Sequence, residues 1–563
     1  MTKFLPARPY IIFAATLALL TWGQILYCTL QTPKGWQFSG FTCDIVDQNT
    51  YLAFMAQARD GHFFLQNLYT GEIEKTSYCN LFWWTLGVAA RWTHLSLGTV
   101  FQGSRVLLSF AFLLLLARFI GYFIESEAQR WCALLLITLG TGFGWLFVIA
   151  SQWTGRFVLT ADLVLPEAFA IMSMLWKTHL VFSLILQVSI LWLFLAACES
   201  RNLRWAIGAA LLALLLGFTH AFHLITIYCI ALVFGVACAL REPNTIKRWQ
   251  PLQYAVLLII FSAPSLLYFS RLVHSSPIMA AWQQQNICLS PPVWSYLVGF
   301  GPVVGVLFCC PRQFVQRFLI KPLQEPATSP RNLFLFIWLV CNSLLLYSAP
   351  IFNFERRLVQ SLQIPLTLIA AQLFFDVLYP RLITWPALAQ TFQSGNQSRL
   401  SPQNTIVLGW VLLSLPTTLY HFTATSFIAL PPHSPYYLSP SELGAADYLR
   451  QHAKEDAVIL APEEQGSWLP ILTERHVFIG HPVQTVDYAR KSELAARFFS
   501  VKMSNAERIQ LLHRYPANFI YWPHQKDVSL PNSALWTKVF GSPLVEVYEV
   551  KTSLKVATGN PKR

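Results

Sequence analysis

Long apolar runs recur along this 563-residue chain, and they constrain its fold more than any other feature. A helix must pass through about 30 Å of hydrocarbon to cross a bilayer, which takes about 20 apolar residues. Charged residues make up only 12% of the chain, against about 25% in soluble domains. The sequence therefore predicts a polytopic membrane protein with about eleven spans. These lie near residues 10–30, 103–124, 129–152, 179–198, 205–220, 222–240, 251–270, 291–310, 332–350, 358–379 and 404–422.

Basic residues between the runs indicate the direction in which each run crosses. Lys and Arg accumulate in cytoplasmic connections, and in this chain they occupy alternate connections. This predicts a cytoplasmic N-terminus, a first outer loop at residues 31–102 and an outer C-terminal region. It also explains the formal charge of +13 without nucleic-acid binding, because the cations are not gathered on one face. The predicted cytoplasmic cations include Arg201, Arg204, Arg241, Lys247, Arg248, Arg312, Arg317, Lys321, Arg331 and Arg381.

Composition divides the chain into three segments. Residues 1–425 are predicted to form an all-α polytopic membrane domain with additional interfacial helices. Residues 426–440 are a linker rich in Pro and Ser, and residues 441–563 carry mixed charges and short amphipathic elements. In this last segment AVILA, HVFIG and NFIYW are predicted strands that alternate with helices. The sequence thus predicts a small extracytoplasmic α/β domain after the membrane domain.

The first outer loop contains an apolar stretch at residues 81–97 that has no crossing to make. Arg91 and His94 interrupt it, so we predict an interfacial or re-entrant helix. The alternative is a true span, with one later run miscounted. The same loop holds Cys43 and Cys79, for which a disulfide stays open if the loop faces an oxidising compartment.

Two carboxylates follow the first run directly. Asp44 and Asp47 lie in FTCDIVDQNT, in a chain that has only 27 Asp and Glu residues. A carboxylate pair at the rim of a membrane domain suits proton chemistry on a substrate. A helical pattern begins at this point, so the alternative role of Asp47 is to cap that helix.

Other polar groups fall on the same predicted outer rim. Glu167 precedes the span that starts near His179, and a carboxylate near a bilayer usually faces a cavity or the interface. His220 and His223 form THAFH in a predicted tight outer turn. Their i, i+3 spacing can place both rings on one side, and ring N–H groups satisfied at the interface are the alternative to a substrate contact.

Amide and guanidinium groups add to this set. Gln285 and Asn286 lie in the outer loop of residues 271–292, and such amides suit sugar hydroxyls, although an ordinary interfacial loop has a similar composition. Arg356 and Arg357 lie outside, against the positive-inside trend. Guanidinium groups bind phosphate oxygens well, so this pair is a candidate anchor for a lipid phosphate, with snorkelling from the helix end as the alternative.

Taken together, the acidic motif in residues 41–80, the interfacial helices, the many spans and the outer C-terminal domain resemble the GT-C superfamily. Its members are integral-membrane glycosyltransferases that take a sugar from a polyprenyl-phosphate carrier. The resemblance extends to bacterial lipopolysaccharide-core and protein mannosyltransferases, which implies a place in the bacterial cytoplasmic (inner) membrane. Many members carry adjacent acidic residues, whereas in this chain Ile45 and Val46 separate them.

This resemblance implies an inverting transfer to an envelope glycan, lipid or protein acceptor. Asp47, or otherwise Asp44, would act as general base, and Glu167 is a further catalytic candidate. Arg356 and Arg357 would stabilise the charge on the departing polyprenyl phosphate, and we expect them to converge with Asp47 on one cleft. The resemblance leaves a divalent cation, Mg²⁺ or Mn²⁺, open. The remaining predicted substrate-binding residues are His179, His220, His223, Gln285 and Asn286.

Two other classes of function compete with this one. A transporter or flippase for lipid-linked saccharides would line a path with polar groups, but we detect no repeated halves with matching Gly or Pro breaks. A non-catalytic membrane scaffold would use residues 441–563 as its binding part. Only the transferase requires proton transfer at Asp47.

Overall fold

The computed structural model describes residues 7–74, 77–242, 247–325, 329–349, 351–385, 401–524, 530–531 and 533–551, apart from the side chain of Pro402. Residues 552–563 of the predicted C-terminal domain lie outside this description. The contacts between residues divide the chain into two compact units. We call residues 1–23, 103–267 and 288–424 the helical unit, and residues 24–102, 268–287 and 425–563 the mixed unit. The mixed unit thus unites most of the predicted first outer loop with the predicted C-terminal domain.

Helices outnumber strands in the described residues, and the strands are concentrated in the C-terminal part. The helices are α1 (Arg8–Leu20), α2 (Gly23–Leu30), α3 (Ile45–Arg59), α4 (Leu81–Thr93), α5 (Leu97–Phe123), α6 (Glu127–Thr138), α7 (Gly144–Thr154), α8 (Ala161–Val164), α9 (Ala170–Trp176), α10 (Thr178–Ser200), α11 (Leu203–His220), α12 (His223–Arg241), α13 (Gln250–Ser275), α14 (Pro277–Gln285), α15 (Val293–Cys309), α16 (Pro311–Val315), α17 (Lys321–Gln324), α18 (Arg331–Leu345), α19 (Gln363–Leu373), α20 (Tyr379–Ile383), α21 (Pro402–Leu413), α22 (Pro416–Ile428), α23 (Pro440–His452), α24 (Glu463–Thr473), α25 (Tyr488–Phe498) and α26 (Asn505–Arg514). Single 3-10 or π turns cover Gln316–Ile320, Glu355–Val359 and Phe374–Leu378. The strands are β1 (Gln37–Phe38), β2 (Tyr437–Leu438), β3 (Val458–Leu460), β4 (His476–Val477), β5 (Phe519–Pro523), β6 (Trp536–Gly541) and β7 (Val545–Val550).

Seven of the described helical segments are long and apolar enough to cross a membrane, and two bent helix pairs raise this number to nine. The chain is therefore a multi-pass membrane protein, as the sequence predicts. The number is lower than the expected count of about eleven, partly because α18 has only 15 residues. The seven are Arg8–Leu30, Leu97–Phe123, Thr178–Ser200, Leu203–His220, His223–Arg241, Gln250–Ser275 and Glu355–Ile383, and the bent pairs are Val293–Cys309 with Pro311–Gln324 and Gln403–Leu413 with Pro416–Ile428.

The span predicted at residues 129–152 is broken in the structure. Helix α6 ends at Thr138 and α7 begins at Gly144, and a fully buried carboxylate holds the chain between them. Asp162 Oδ2 accepts hydrogen bonds from the backbone N–H groups of Gly142 and Gly144 at 3.1 and 2.9 Å. These bonds satisfy backbone donors that lose their helical partners at the break. Asp162 therefore has a structural role at this break.

The apolar stretch of the first outer loop forms α4, which has 13 residues. At a rise of about 1.5 Å per residue this helix is about 20 Å long, too short to be a span by itself. Asn80 caps it by accepting hydrogen bonds from the N–H groups of Phe82 and Trp83. Helix α4 packs on α3 at Gly87, where an added Cβ would lie 2.5 Å from the carbonyl oxygen of Met55. Only glycine permits this close approach.

The mixed unit contains a five-stranded sheet of order β4–β3–β5–β7–β6. Strand β3 pairs in parallel with β4 and β5, whereas β7 is antiparallel to both β5 and β6. Side chains of α23 and α24, such as Leu449 and Trp468, pack in one apolar layer, and those of α25 and α26, such as Phe498 and Leu512, pack in a second. The predicted α/β character of the C-terminal region is confirmed, with α24 and the β6–β7 hairpin as elements that the sequence did not reveal.

Candidate active site

The two aspartates of the acidic motif lie at the N-terminal end of α3. Asp44 occupies the N-cap position with a left-handed φ of 51°, and its side chain makes no capping hydrogen bond. Asp47 lies in the first turn rather than at the N-cap position itself. The unpaired N–H groups at a helix N-terminus stabilise a nearby carboxylate. The Asp47 side chain is 43% exposed, which leaves it accessible from solvent.

A histidine from the α/β sheet region contacts Asp47. His481 Nε2 lies 3.0 Å from Asp47 Oδ1, and the His481 side chain is only 6% exposed. His481 follows β4 along the chain, and the region beyond the carboxyl ends of parallel strands is where α/β sheets usually bind ligands. The mixed unit thus joins the acidic motif to a buried imidazole that is 434 residues away in the sequence.

Backbone contacts determine which nitrogen of His481 carries the proton. Its Nδ1 accepts hydrogen bonds from the backbone N–H groups of Val483 and Gln484 at 3.0 and 3.2 Å. A backbone N–H can only donate, so Nδ1 is unprotonated and the ring proton lies on Nε2. His481 therefore donates to Asp47 and fixes the direction of one carboxylate oxygen.

The first outer loop holds the segment that carries His481. Thr485 donates from Oγ1 to the carbonyl oxygen of Tyr69 at 2.7 Å and accepts from the N–H groups of Gly480 and His481 at 3.3 Å. Asn67 donates from Nδ2 to the carbonyl oxygen of Gln484 at 2.8 Å. Hydrogen bonds therefore hold the C-terminal end of the His481 segment to the loop that also contains Asp47.

Two glycines allow this segment to approach α24 closely. A Cβ added to Gly466 would lie 1.9 Å from the carbonyl oxygen of Ile479, and one added to Gly480 would lie 2.2 Å from the carbonyl oxygen of Gly466. No larger side chain fits at either position unless the backbone moves. The position of His481 therefore depends on glycine at both sites.

The predicted amide pair of the outer loop meets the same segment. Gln285 donates from Nε2 to the carbonyl oxygens of Val483 and Thr485 at 3.0 and 2.9 Å. Asn286 is the C-cap residue that follows α14, and its backbone N–H donates to the carbonyl oxygen of Trp282. The observed role of Gln285 is to support the His481 segment, and sugar contacts by either amide stay a prediction.

Because Asp47 is the general base that the sequence predicts, replacing His481 by alanine is expected to lower kcat about tenfold, with KM nearly unchanged. A hydrogen bond to a charged group contributes about 1.5–3 kcal/mol, and this one would orient the predicted base rather than bind substrate. His481→Gln retains an N–H donor and should recover part of the loss. Steady-state kinetics of both purified variants provide the measurement, and equal rates for His481→Ala and the wild-type protein would contradict the role.

The helical unit holds a second charged group. Arg356 Nη2 lies 3.8 Å from Glu167 Oε1, and the two side chains are 35% and 13% exposed. The backbone N–H of Arg356 donates to the carbonyl oxygen of Cys288 at 3.0 Å. The backbone N–H of Cys288 donates in turn to the backbone carbonyl oxygen of Asn353 at 2.8 Å. Two residues predicted separately from the sequence are thus ion-pair partners. The distance between Arg356 Nη2 and Glu167 Oε1 is longer than that of a direct hydrogen bond.

Arg357 lies among aromatic rings in the same unit. Its guanidinium carbon is 5.2 Å from the ring centroid of Phe222. The rings of His179 and His220 stack with centroids 5.1 Å apart, and the rings of His220 and His223 are 5.9 Å apart. The start of α10, the end of α11 and the start of α12 therefore bring the three predicted histidines together.

The sequence left open a divalent metal ion at the site and a disulfide between Cys43 and Cys79 in the first outer loop. Within the described ranges, no three His, Cys, Asp or Glu side chains converge in a way that could hold a metal ion. The His481 imidazole donates a hydrogen bond to Asp47 Oδ1, and a divalent cation at this carboxylate stays a prediction. Cys43 and Cys79 are both present as thiols, so the disulfide that the sequence left open is not formed.

Comparison with solved structures identifies the fold. The chain is similar to the Archaeoglobus fulgidus oligosaccharyltransferase in its apo form, with a TM-score of 0.55 at 13% identity over 92% of this chain and 69% of the other. The archaeal oligosaccharyltransferase AglB from Archaeoglobus fulgidus, in complex with an inhibitory peptide and a dolichol-phosphate, gives a TM-score of 0.54 with the same identity and coverage. ArnT from Cupriavidus metallidurans gives 0.49 at 11% identity over 97% and 98% of the two chains. Scans of protein-family models and of curated proteins gave no match.

The chain therefore has the fold of the GT-C glycosyltransferases, which confirms the fold resemblance seen in the sequence. At 13% identity the likeness extends to the fold alone.

Proposed function

We propose that this protein is a membrane glycosyltransferase that moves a sugar from a polyprenyl-phosphate carrier to an envelope acceptor. The observation that carries the proposal is the contact between His481 and Asp47, which holds an accessible carboxylate in one orientation on a GT-C fold. Neighbouring folds belong to an oligosaccharyltransferase whose complex contains dolichol-phosphate. A positioned base and a lipid-phosphate leaving group are complementary requirements of one reaction.

In the proposed reaction Asp47 takes the proton of an acceptor hydroxyl as its oxygen attacks the anomeric carbon. A bond forms between the acceptor oxygen and the anomeric carbon, and the bond from that carbon to the phosphate oxygen breaks. The electron pair leaves with the polyprenyl phosphate. Because the proposed transfer is one displacement, in which the acceptor attacks the face opposite the leaving group, it inverts the anomeric configuration. A positioned general base accelerates such a step by about 10²–10⁴.

Arg356 is the proposed partner of the departing phosphate. Its Nε is buried without a hydrogen-bond partner among the described residues, and its nearest carboxylate contact, Glu167, is 3.8 Å away. The guanidinium group therefore keeps donors for phosphate oxygens, while Glu167 limits its movement. Arg357 and the histidines near Phe222 complete the proposed substrate-binding set. Convergence of this set with Asp47 stays a prediction.

Transfer by purified protein in liposomes tests this function directly. Polyprenyl-phosphate sugars labelled in the sugar serve as donors, and extracted envelope glycans, lipids and proteins serve as acceptors. Appearance of label in one acceptor class, with inverted configuration by NMR, supports the proposal. Translocation of the labelled lipid without transfer would instead indicate a flippase. The absence of both transfer and translocation would indicate a scaffold.

Replacing Arg356 by alanine is expected to lower kcat about tenfold, because charge that develops on the leaving phosphate loses a fixed donor. Arg356→Lys keeps the charge but loses the paired N–H donors of the guanidinium group. Its rate should therefore lie between the rate of the wild-type protein and that of Arg356→Ala. Arg156→Ala removes an exposed arginine elsewhere in the same unit and serves as the matched control. Equal rates for the Arg356→Ala and Arg156→Ala variants would remove Arg356 from the mechanism.

A further inference from the structure

A cavity of about 950 Å³ lies in the helical unit, and its lining includes none of the proposed catalytic or substrate-binding residues. This volume falls within the range of about 300–1,000 Å³ that is usual for ligand sites. The charged residues that line the cavity are all basic, and they are Arg312, Arg317, Lys321 and Arg331. Gln313, Gln316, Ser329 and Asn332 add neutral hydrogen-bonding groups, and Phe123, Pro322 and Val377 add an apolar part. The lining therefore suits an anionic amphiphile.

Neighbouring carboxylates neutralise only part of this charge. Arg331 pairs with Glu199 at 2.9 Å, and Arg317 pairs with Asp376. Lys321 has only a distant contact with Glu325, at 3.9 Å, and both of those side chains are more than half exposed. Arg312 makes no ion pair with any described residue. Two cations, those of Arg312 and Lys321, thus remain to bind an anion.

The chain geometry near the cavity resembles that of a membrane-surface helix. The segment Pro311–Gln324 is bent by 86° from the apolar helix Val293–Cys309. If the first helix crosses the membrane, the second lies close to the membrane plane. Val315, Ile320 and Leu323 are exposed on this second segment, and apolar and basic side chains together are typical of helices that lie in the interface. The cavity is then at the depth of lipid headgroups.

The lining of the cavity also includes the N-terminal end of a helix. Ser329 precedes α18, and Arg331 and Asn332 lie in the first turn of this helix of 15 residues. Unpaired N–H groups and the helix dipole favour a phosphate at such an end. Basic pockets between membrane helices on the cytoplasmic side bind anionic lipid headgroups in other proteins.

We propose that this cavity binds the phosphate headgroup of an anionic membrane phospholipid. Arg312 and Lys321 contact the phosphate, the end of α18 supplies N–H donors, and Phe123, Pro322 and Val377 contact the glycerol and the first acyl carbons. The positive-inside pattern assigns these same cations to the cytoplasmic side, so the lipid belongs to the cytoplasmic leaflet. The site is independent of the proposed transferase chemistry, and its test uses no transfer assay.

Native mass spectrometry of the full-length protein in neutral detergent tests this site. The protein is titrated with phosphatidylglycerol and, separately, with phosphatidylcholine of the same acyl chains. We expect one phosphatidylglycerol to bind more tightly than phosphatidylcholine. Each Lys or Arg near an anionic lipid surface contributes about fivefold in affinity, so Arg312→Ala/Lys321→Ala should weaken phosphatidylglycerol binding about 10- to 30-fold.

The control variant Arg8→Ala/Arg204→Ala removes two exposed arginines that are also predicted to be cytoplasmic, and it should bind as the wild-type protein does. Unchanged binding by Arg312→Ala/Lys321→Ala would overturn the proposal, as would equal weakening in both double variants. A third arm adds inorganic phosphate as competitor. Displacement of the lipid by millimolar phosphate would assign the cavity to a free anion, which also overturns the lipid proposal.

Discussion

Replacing Asp47 by asparagine is expected to lower the rate of sugar transfer by about 10²–10⁴ while leaving the fold intact. Asparagine has the same shape as aspartate, and its Oδ1 can still accept the hydrogen bond that His481 donates at 3.0 Å. It cannot take up the proton of the acceptor hydroxyl, so the loss falls on the chemical step. Initial rates with a polyprenyl-phosphate sugar, together with the thermal unfolding midpoint of the same preparation, provide the measurement.

Asp44→Asn is the matched control for this prediction. Asp44 lies at the N-cap position of the same helix and makes no capping hydrogen bond, so its replacement changes the net charge equally without removing the proposed base. A loss of activity in Asp44→Asn but not in Asp47→Asn would move the base to Asp44. Rates within threefold of the wild-type rate for both Asp47→Asn and Asp44→Asn would contradict base catalysis by either aspartate.

The sequence predicts those parts of this protein that depend on local composition. Spans such as 103–124 and 179–198 correspond to α5 and α10, because a run of apolar residues stabilises a membrane helix wherever it occurs. The strands AVILA and NFIYW correspond to β3 and β5 because their pattern is equally local. The proposed functional class came from the resemblance of this arrangement to the GT-C superfamily.

The parts that sequence reasoning missed depend on partners that are distant in the chain. The break after Thr138 exists because the Asp162 carboxylate accepts two backbone N–H groups, and an apolar run contains no sign of that partner. His481 follows a strand of the five-stranded sheet, and its contact with Asp47 joins residues that are 434 positions apart. The HP dipeptide that contains His481 follows the predicted strand HVFIG directly. This position could have indicated a site residue, because ligand-binding sites of α/β sheets lie beyond the carboxyl ends of parallel strands.

Gln285 shows how the same composition supports two roles. Its sequence context suits a sugar-binding loop, but its amide donates to two carbonyl oxygens of the His481 segment. A sequence reveals that an amide needs partners, whereas only the folded chain shows which partners it finds. The candidate site is therefore best regarded as a carboxylate positioned by several distant segments.

Neutralising Glu72 is expected to lower the free energy of unfolding of the mixed unit by about 2–3 kcal/mol at pH 7. Lys491 is 2% exposed and lies 2.6 Å from Glu72, so Glu72→Gln leaves a buried ammonium group without its counterion. Breaking a fully buried pair costs about 3–5 kcal/mol, and the cost is smaller at this site because the Glu72 side chain is 43% exposed. Pulse proteolysis across a urea titration measures the change.

The pH dependence of this effect has a defined sign. Burial alone would raise the pKa of Glu72, but hydrogen bonds from Lys491 and Thr70 lower it below its usual value. The stabilisation is therefore fully present above the pKa of about 4.3 that Glu72 has in the unfolded chain. It is lost as the pH falls through the lower pKa that Glu72 has in the folded protein. The wild-type protein should lose this part of its stability in acid, whereas Glu72→Gln should not.

The double variant Glu72→Gln/Lys491→Met provides the control. Methionine can fill the space over the Phe478 ring that the Lys491 ammonium occupies at 5.3 Å, and replacing both charges of a buried pair is often neutral. Most of the lost stability should therefore return. Thr70 also accepts the N–H of Val486 in the segment that carries His481, so transfer activity should fall and recover together with stability. If Glu72→Gln unfolds at the wild-type urea concentration at pH 7, the ion pair does not stabilise this segment.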